Sequence, residues 1–241
     1  MGDLSTTTAV VLAGGLGTRL HSVVSDCPKG LAQVGGRPFL TFLLDQLDAA
    51  GVRRAVLCTG YLGEQVKETF GDKYRGLHLL YSQEHSPLGT GGALRLAVPV
   101  LASDPVLVLN GDSYCEADLA ALPDWRREHR AKATLLLTHV PDTQRYGRVT
   151  IDEQGAVLAF EEKGTVVGPG WINAGIYVLS HRLLLTIPGT GTVSLEREVF
   201  PAWIGHGLFG CPGDGRFLDI GTPESYGAAE EFFTSGRGSP A

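Results

Sequence analysis

The chain has 241 residues, 43% of them apolar and 19% charged, with 33 glycines and a net charge of −6. That length suits one large α/β domain with a sizeable core. The acidic balance, with a pI near 5.6, excludes a broad basic surface for nucleic acid, so any phosphate must be met by a few placed cations.

In chain order, residues 8–12 form a short apolar run that enters Ala13-Gly14-Gly15, which reads as a buried strand and its loop. Residues 38–50 carry apolar side chains at 39, 40, 43, 44 and 47, a helical face opened by Pro38 and closed by Gly51. Strands are expected over 54–59, 77–82, 105–109 and 133–140, and helices over 63–70, 91–101 and 119–130. This rhythm predicts a mostly parallel sheet with helices on both faces, whose ligands bind beyond the carboxyl ends of the strands. The rhythm changes after Arg148. Residues 148–151 and 156–160 flank Asp152-Glu153-Gln154-Gly155, a hairpin signal. Further strands are expected over 173–179 and 217–220. A helix over 194–203, capped by Ser194, and a closing helix over 223–233 complete the set. Residues 141–233 thus read as an extension of the sheet begun by 8–140, within a single domain over 1–233. Residues 234–241, rich in Gly, Ser and Pro, read as a flexible tail.

Cys27, Cys58, Cys115 and Cys211 show no CxxC spacing, which speaks for reduced thiols rather than zinc or disulfides. No segment reaches the roughly 18 apolar residues of a membrane span, and the first eight residues lack a signal-peptide pattern. A cytoplasmic protein with neither membrane nor nucleic-acid partners is expected, its oligomeric state open and a homodimer allowed.

Three features carry chemistry. Leu12-Ala13-Gly14-Gly15-Leu16-Gly17-Thr18-Arg19-Leu20 is a glycine-rich loop whose exposed amides suit phosphate oxygens. It lacks the Lys-Ser/Thr ending of a Walker loop, and Leu20 replaces the last glycine of a dinucleotide fingerprint. Arg19 and the nearby Pro28-Lys29 supply two cations fit for a triphosphate. Asn110-Gly111-Asp112 follows a buried strand; its carboxylate suits a hard cation such as Mg²⁺, while Asn-Gly equally suits a type I′ turn. Asp219 stands between apolar residues, where an acid is usually paired or metal-bound. Glu161-Glu162-Lys163 ends a strand, where Lys163 either meets a second substrate's phosphate or is merely solvated.

Taken in order, these motifs resemble the sugar-1-phosphate nucleotidylyltransferase family. Leu88-Gly89-Thr90-Gly91-Gly92-Ala93, Asn173-Ala174-Gly175-Ile176-Tyr177 and Leu218-Asp219-Ile220-Gly221-Thr222-Pro223 belong to the same pattern, which spans residues 8 to 233. The resemblance implies a nucleotidyltransferase type A fold: a Rossmann-like, mostly parallel mixed sheet flanked by helices, with a small β-rich sugar-binding extension. It implies attack of a sugar 1-phosphate on the α-phosphorus of a nucleoside triphosphate, with release of pyrophosphate. It further implies that Arg19 and Lys29 hold the triphosphate and that Asp112 and Asp219 hold Mg²⁺. Leu12, Ala13, Gly14, Gly15, Gly17, Thr18, Gly89 and Thr90 then meet the nucleotide. Lys163 takes the sugar phosphate, with Gly147, Glu162, Asn173 and Gly175 on the sugar side.

Glu84 stands five residues before Gly89, where uridylyl-transferring relatives use glutamine. Guanine offers two adjacent donors that a carboxylate accepts together, so Glu84 favours GTP; Gln83 beside it keeps an amide reader open. The run 22–29 with Tyr146-Gly147-Arg148 and Gly170-Trp171-Ile172-Asn173 most resembles the D-glycero-D-manno-heptose 1-phosphate guanylyltransferases. Arg148 and Trp171 are candidates for the sugar pocket. One departure is Gly30-Leu31-Ala32-Gln33, where that group usually reads Pro-Met-Ala-Pro. The alternatives are a thymidylyl- or uridylyltransferase acting on a hexose 1-phosphate, and a non-catalytic subunit that senses nucleotide sugar.

Overall fold

The computed structural model describes residues 3–15, 17, 20, 23, 27–161, 163–165 and 167–235. β1 (Thr8–Leu12) is followed by a 3₁₀ turn at Lys29–Leu31 and a small hairpin, β2 (Gln33–Val34) and β3 (Arg37–Pro38). Then come α1 (Leu40–Ala49), β4 (Arg54–Thr59), α2 (Gly63–Phe70), β5 (Lys73–Tyr74), β6 (Leu77–Gln83) and α3 (Gly89–Ala97). β7 (Val106–Asn110), β8 (Ser113–Cys115), α4 (Leu122–Glu128) and β9 (Ala133–Val140) complete the first half. The second half holds β10 (Arg148–Ile151), β11 (Val157–Glu161), β12 (Gly170–Leu179) and α5 (His181–Leu184). A π-helical turn at Leu195–Val199 then runs into α6 (Phe200–Trp203). The chain continues through β13 (Leu208–Gly213), β14 (Phe217–Asp219), α7 (Pro223–Gly227) and α8 (Ala229–Ser235).

Eight strands form one mixed sheet in the order β13-β9-β12-β7-β1-β4-β6-β5. β7, β1, β4 and β6 run parallel, while β12 lies antiparallel to β7 and β9. Alternate residues of the central strands face two separate cores, which is why the strands read as unbroken apolar runs. Val10, Val56 and Val108 enter one core with Ala93 and Leu94 of α3. Ala9, Val11, Leu57 and Leu109 enter the other with Leu40, Leu43, Leu44 and Leu47 of α1. α8 closes over this second core, with the rings of Phe42 and Phe233 stacked 3.8 Å apart.

The elements differ from the sequence expectations in instructive places. The helix expected over 91–101 starts at Gly89 and gives way to a 3₁₀ turn at Val98–Val100, where Pro99 lacks an N–H for the α ladder. The helix over 119–130 contracts to Leu122–Glu128. The closing helix breaks at Ala228 into α7 and α8, and α8 runs on through Thr234 and Ser235, both assigned to the tail. β13 carries Gly210, Pro212 and Gly213 and escaped the pattern; it is an edge strand, where a proline costs no internal hydrogen bond.

Candidate active site

The segments after β1, β6 and β7 gather at one edge of the sheet and open onto a cavity of about 820 Å³, a volume ordinary for a small-molecule site. Leu12, Ala13 and Gly15 line it, as do Asn110, Gly111 and Asp112. β7 and β8 do not pair with each other, so Asn110-Gly111-Asp112 is not a hairpin turn; β8 pairs antiparallel with β14 instead. Gly111 donates its N–H to the Leu12 carbonyl at 2.9 Å. A Cβ at Gly111 would lie 2.7 Å from that oxygen, so only glycine lets the two strand ends meet this closely.

The β8–β14 ladder sets Asp219 opposite Ser113, and the N–H of Ile220 donates to the carbonyl of Asp112 at 3.0 Å. Two carboxylates from distant segments thus face one cavity. Lys29 Nζ lies 2.8 Å from Asp112 Oδ2, with the lysine side chain only 12% exposed and the aspartate 44%. Asp219 Oδ1 accepts the N–H of Gly221. Among the described residues no three His, Cys, Asp or Glu gather into a metal cage. Two aspartates lining one cavity match the way Mg²⁺ is held, by one or two carboxylates together with substrate phosphates. The donor set therefore fits the ion that the motif implies. Lys29 sits over Gly30, whose missing Cβ leaves room for Leu40, since a Cβ there would fall 2.6 Å from Leu40 Cγ. That packing favours glycine where the sequence departs from the expected Pro-Met-Ala-Pro run.

Glu84 follows β6 with its carboxylate against the backbone of Gly14 and Gly60; a Cβ on Gly14 would be 3.0 Å from Oε1. Its Oε2 accepts the N–H of Leu88 at 3.1 Å. Burial pushes the Glu84 carboxyl above the usual range, and the Leu88 N–H pulls it partly back. Gln83 is turned the other way, its amide towards Gly63. Strand alternation therefore puts the carboxylate, not the amide, beside the glycine-rich loop. Neither Glu84 nor Gly14 is among the residues that line the cavity.

On the opposite wall stand Gly147, Lys163 and Asn173. Asn173 donates from Nδ2 to the Tyr177 hydroxyl at 2.9 Å and accepts the Gly175 N–H at 2.9 Å. Gly175 is buried against Ser113 and Asn110, behind the wall. Gly89 and Thr90 line the cavity at the start of α3, and Gly17 lies beside Lys29. Arg19, Thr18 and Glu162 lie outside the described residues. Of the two sugar-pocket candidates, Arg148 reaches the cavity, whereas Trp171 packs edge-on to His139 away from its lining.

Residues 8–236 match the nucleotidyl transferase family. The chain belongs to that family. The nucleotidyl transferase is an enzyme whose likeness to particular relatives runs along most of its length. It is 41% identical over 222 residues to the mannose-1-phosphate guanylyltransferase of Mycobacterium tuberculosis, covering 90% of this chain but 62% of that protein. It is 37% identical over 218 residues to the D-glycero-alpha-D-manno-heptose 1-phosphate guanylyltransferase of Campylobacter jejuni, covering 90% of this chain and 96% of that one. Among solved structures, HddC from Yersinia pseudotuberculosis superposes with a TM-score of 0.85 at 34% identity, covering 94% of this chain and 99% of that one. HddC complexed with GMP-PN gives a TM-score of 0.83 at 33% identity. The fold expected from the motifs, a mostly parallel mixed sheet flanked by helices, is the one observed.

Several residues of this nucleotidyl transferase's cavity carried no site assignment from sequence. Tyr146, Glu161, Ser194, Glu196 and Arg197 all line it. Glu196 and Arg197 lie in the π-helical turn and Ser194 caps it, a geometry frequent at functional sites; in the sequence they read only as a helix start. Three of the thiols are buried. Burial pushes Cys58 and Cys115 up to about 12 and Cys211 to about 11, which leaves them protonated and poorly nucleophilic at neutral pH. No helix among the described residues is long and apolar enough to cross a membrane.

Proposed function

We propose that the protein transfers a guanylyl group from GTP to the phosphate of a sugar 1-phosphate, giving a GDP-sugar and pyrophosphate. The observation that carries this reading is the placement of the Glu84 carboxylate against the backbone of Gly14 and Gly60, in the loops that follow β1 and β4. A carboxylate accepts the two adjacent donors of guanine, whereas a pyrimidine edge offers only one donor beside its carbonyls. The names of the relatives from M. tuberculosis and C. jejuni support the same base.

In this reading the glycine-rich loop and Arg19 embrace the triphosphate, and Lys29 neutralises its charge from beneath. Asp112 and Asp219 would hold Mg²⁺, which supplies positive charge to the reacting phosphates. Lys163 takes the phosphate of the second substrate and aims its oxygen at the α-phosphorus. Asn173, fixed by Tyr177 and Gly175, and Gly147 present the sugar. No side chain is needed as a nucleophile, so positioning and charge neutralisation do the catalytic work. We place the reaction in the cytoplasm, in keeping with the free thiols of Cys58, Cys115 and Cys211.

For the sugar we favour D-glycero-D-manno-heptose 1-phosphate, the substrate named for the C. jejuni relative, which the chain spans to 96%. Mannose 1-phosphate is the second reading, favoured by the higher identity to the M. tuberculosis enzyme. Pyrophosphate release tests both. GTP, ATP, CTP, UTP and dTTP are each paired with heptose, mannose and glucose 1-phosphates in the presence of Mg²⁺. Release with GTP and a manno-configured sugar supports the proposal. Release only with UTP or dTTP discards the role of Glu84, and no release from folded protein favours a sensing subunit.

A further inference from the structure

The hydroxyl of Thr90 stands in the motif that suggests nucleotide contact, yet its hydrogen bonds point elsewhere. It donates its one proton to Oε2 of Glu196 at 3.0 Å. It accepts the N–H of Leu195 at 2.8 Å. A phosphate oxygen can only accept, and this hydroxyl has no second proton to offer. Ser194 Oγ also donates to Glu196 Oε2, at 3.2 Å. One carboxylate oxygen is therefore pinned by two hydroxyls, while among the described residues no hydrogen bond reaches the other.

The pinning belongs to a wider seam. Val193 donates to the Leu88 carbonyl at 2.8 Å and accepts from Gly91 at 2.8 Å. Thr192 Oγ1 donates to the Pro87 carbonyl at 2.9 Å. Gly89 permits this approach, with φ of +72° and no Cβ, which would stand 2.5 Å from the Val193 carbonyl. Glu196 lines the cavity, as Asn173 does. It also lies close enough to the buried Tyr177 phenol, Asn173's partner, for its charge to act there.

We propose that Thr90 is a positioning residue for the sugar 1-phosphate rather than a nucleotide contact: it holds Glu196 on the cavity wall beside Asn173, where the other carboxylate oxygen accepts sugar hydroxyls. The inference rests on the function proposed above. A charge-assisted hydrogen bond lost at one end gives an effect of about tenfold.

The test uses the whole enzyme with GTP and whichever of mannose or heptose 1-phosphate the parent turns over. Thr90→Val is expected to raise KM for the sugar 1-phosphate about tenfold and leave KM for GTP and GTP binding by calorimetry unmoved. Thr90→Ser, which keeps the hydroxyl, is expected to bring the sugar KM back towards the parent value. Adding Thr90→Val to Glu196→Ala is expected to cost nothing more, because without the carboxylate Thr90 has nothing to hold. A rise in KM for GTP instead, an equal rise for both substrates, or a lower Tm with neither KM changed overturns the assignment. A parent enzyme that turns over no sugar 1-phosphate overturns the proposed function itself, and this inference with it.

Discussion

Lys29 Nζ and Asp112 Oδ2 sit 2.8 Å apart although 83 residues separate them in the chain. In the proposed function, Lys29 would hold substrate phosphate and Asp112 would hold Mg²⁺. Asp112 is 44% exposed, so its loss leaves the cores intact. Asp112→Asn and Asp219→Asn are each expected to lower kcat by about 10³-fold or more with Tm nearly unchanged. Chelation by EDTA is expected to stop turnover and added Mg²⁺ to restore it, without change in circular dichroism. A fully active Asp112→Asn enzyme would remove the metal assignment.

Glu84 is the test of base choice. Replacing it by glutamine is expected to lower kcat/KM for GTP by about 10- to 100-fold while UTP use holds or rises. An unchanged preference would take Glu84 out of the base site.

The same residue predicts a pH dependence. Burial holds its carboxyl above the ordinary carboxylate range. Such a group contributes stability that is fully present below the unfolded carboxylate value and is lost as pH rises through the folded one. Glu84→Gln, which cannot ionise, is therefore expected to gain stability relative to the parent as pH climbs through that window. In the proposed site, guanine recognition needs the charged form. KM for GTP is expected to rise as pH falls, beginning above the range of an exposed carboxylate, and this limb is expected to vanish in Glu84→Gln. Denaturant melts and GTP kinetics over pH 4 to about 8 check both statements.

Gly111→Ala places a Cβ 2.7 Å from the Leu12 carbonyl and 3.1 Å from Ala13 Cα. Neither backbone atom can yield easily, so a destabilisation of about 1–3 kcal/mol is expected. Because the shift falls next to Asp112, kcat is expected to drop more than Tm alone would suggest. Thermal melts with steady-state kinetics separate the two, and a variant that melts and turns over like the parent refutes the close approach.

Cys58 and Cys115, held near 12 by burial, are expected to resist iodoacetamide at neutral pH in the folded enzyme and to react once it is unfolded in urea. Mass spectrometry of the labelled protein reads this directly. Rapid labelling of Cys115 with loss of activity would contradict a reaction without thiol chemistry.

Much of the site was legible as residue identity. Lys29, Asp112, Lys163, Asn173 and Asp219 were singled out from motif and strand-end position, and all five line one cavity. Glu84 was singled out against its neighbour Gln83, and the two side chains do point apart. Glu196 and Arg197 were not, because a Ser-capped helix start is a sufficient local explanation for a polar run, and the π-helical turn that aims them inward has no local signature.

Residue pattern alone was enough for the central strands, since unbroken apolar runs such as residues 106–109 of β7 can be buried on both faces only in a covered parallel sheet. It determined also which groups are available for phosphate and metal. Only the tertiary structure decided which of them meet. The β8–β14 ladder carries Asp219 to Asp112, the seam from Pro87 to Gly91 brings Thr90 to Glu196, and β13 finds its place as an edge beside β9 despite Pro212. Periodicity is written in neighbouring residues. Pairing between distant segments depends instead on which backbones can approach closely enough to share hydrogen bonds, as at Gly89 and Gly111, and becomes definite only when the chain has closed around its two cores.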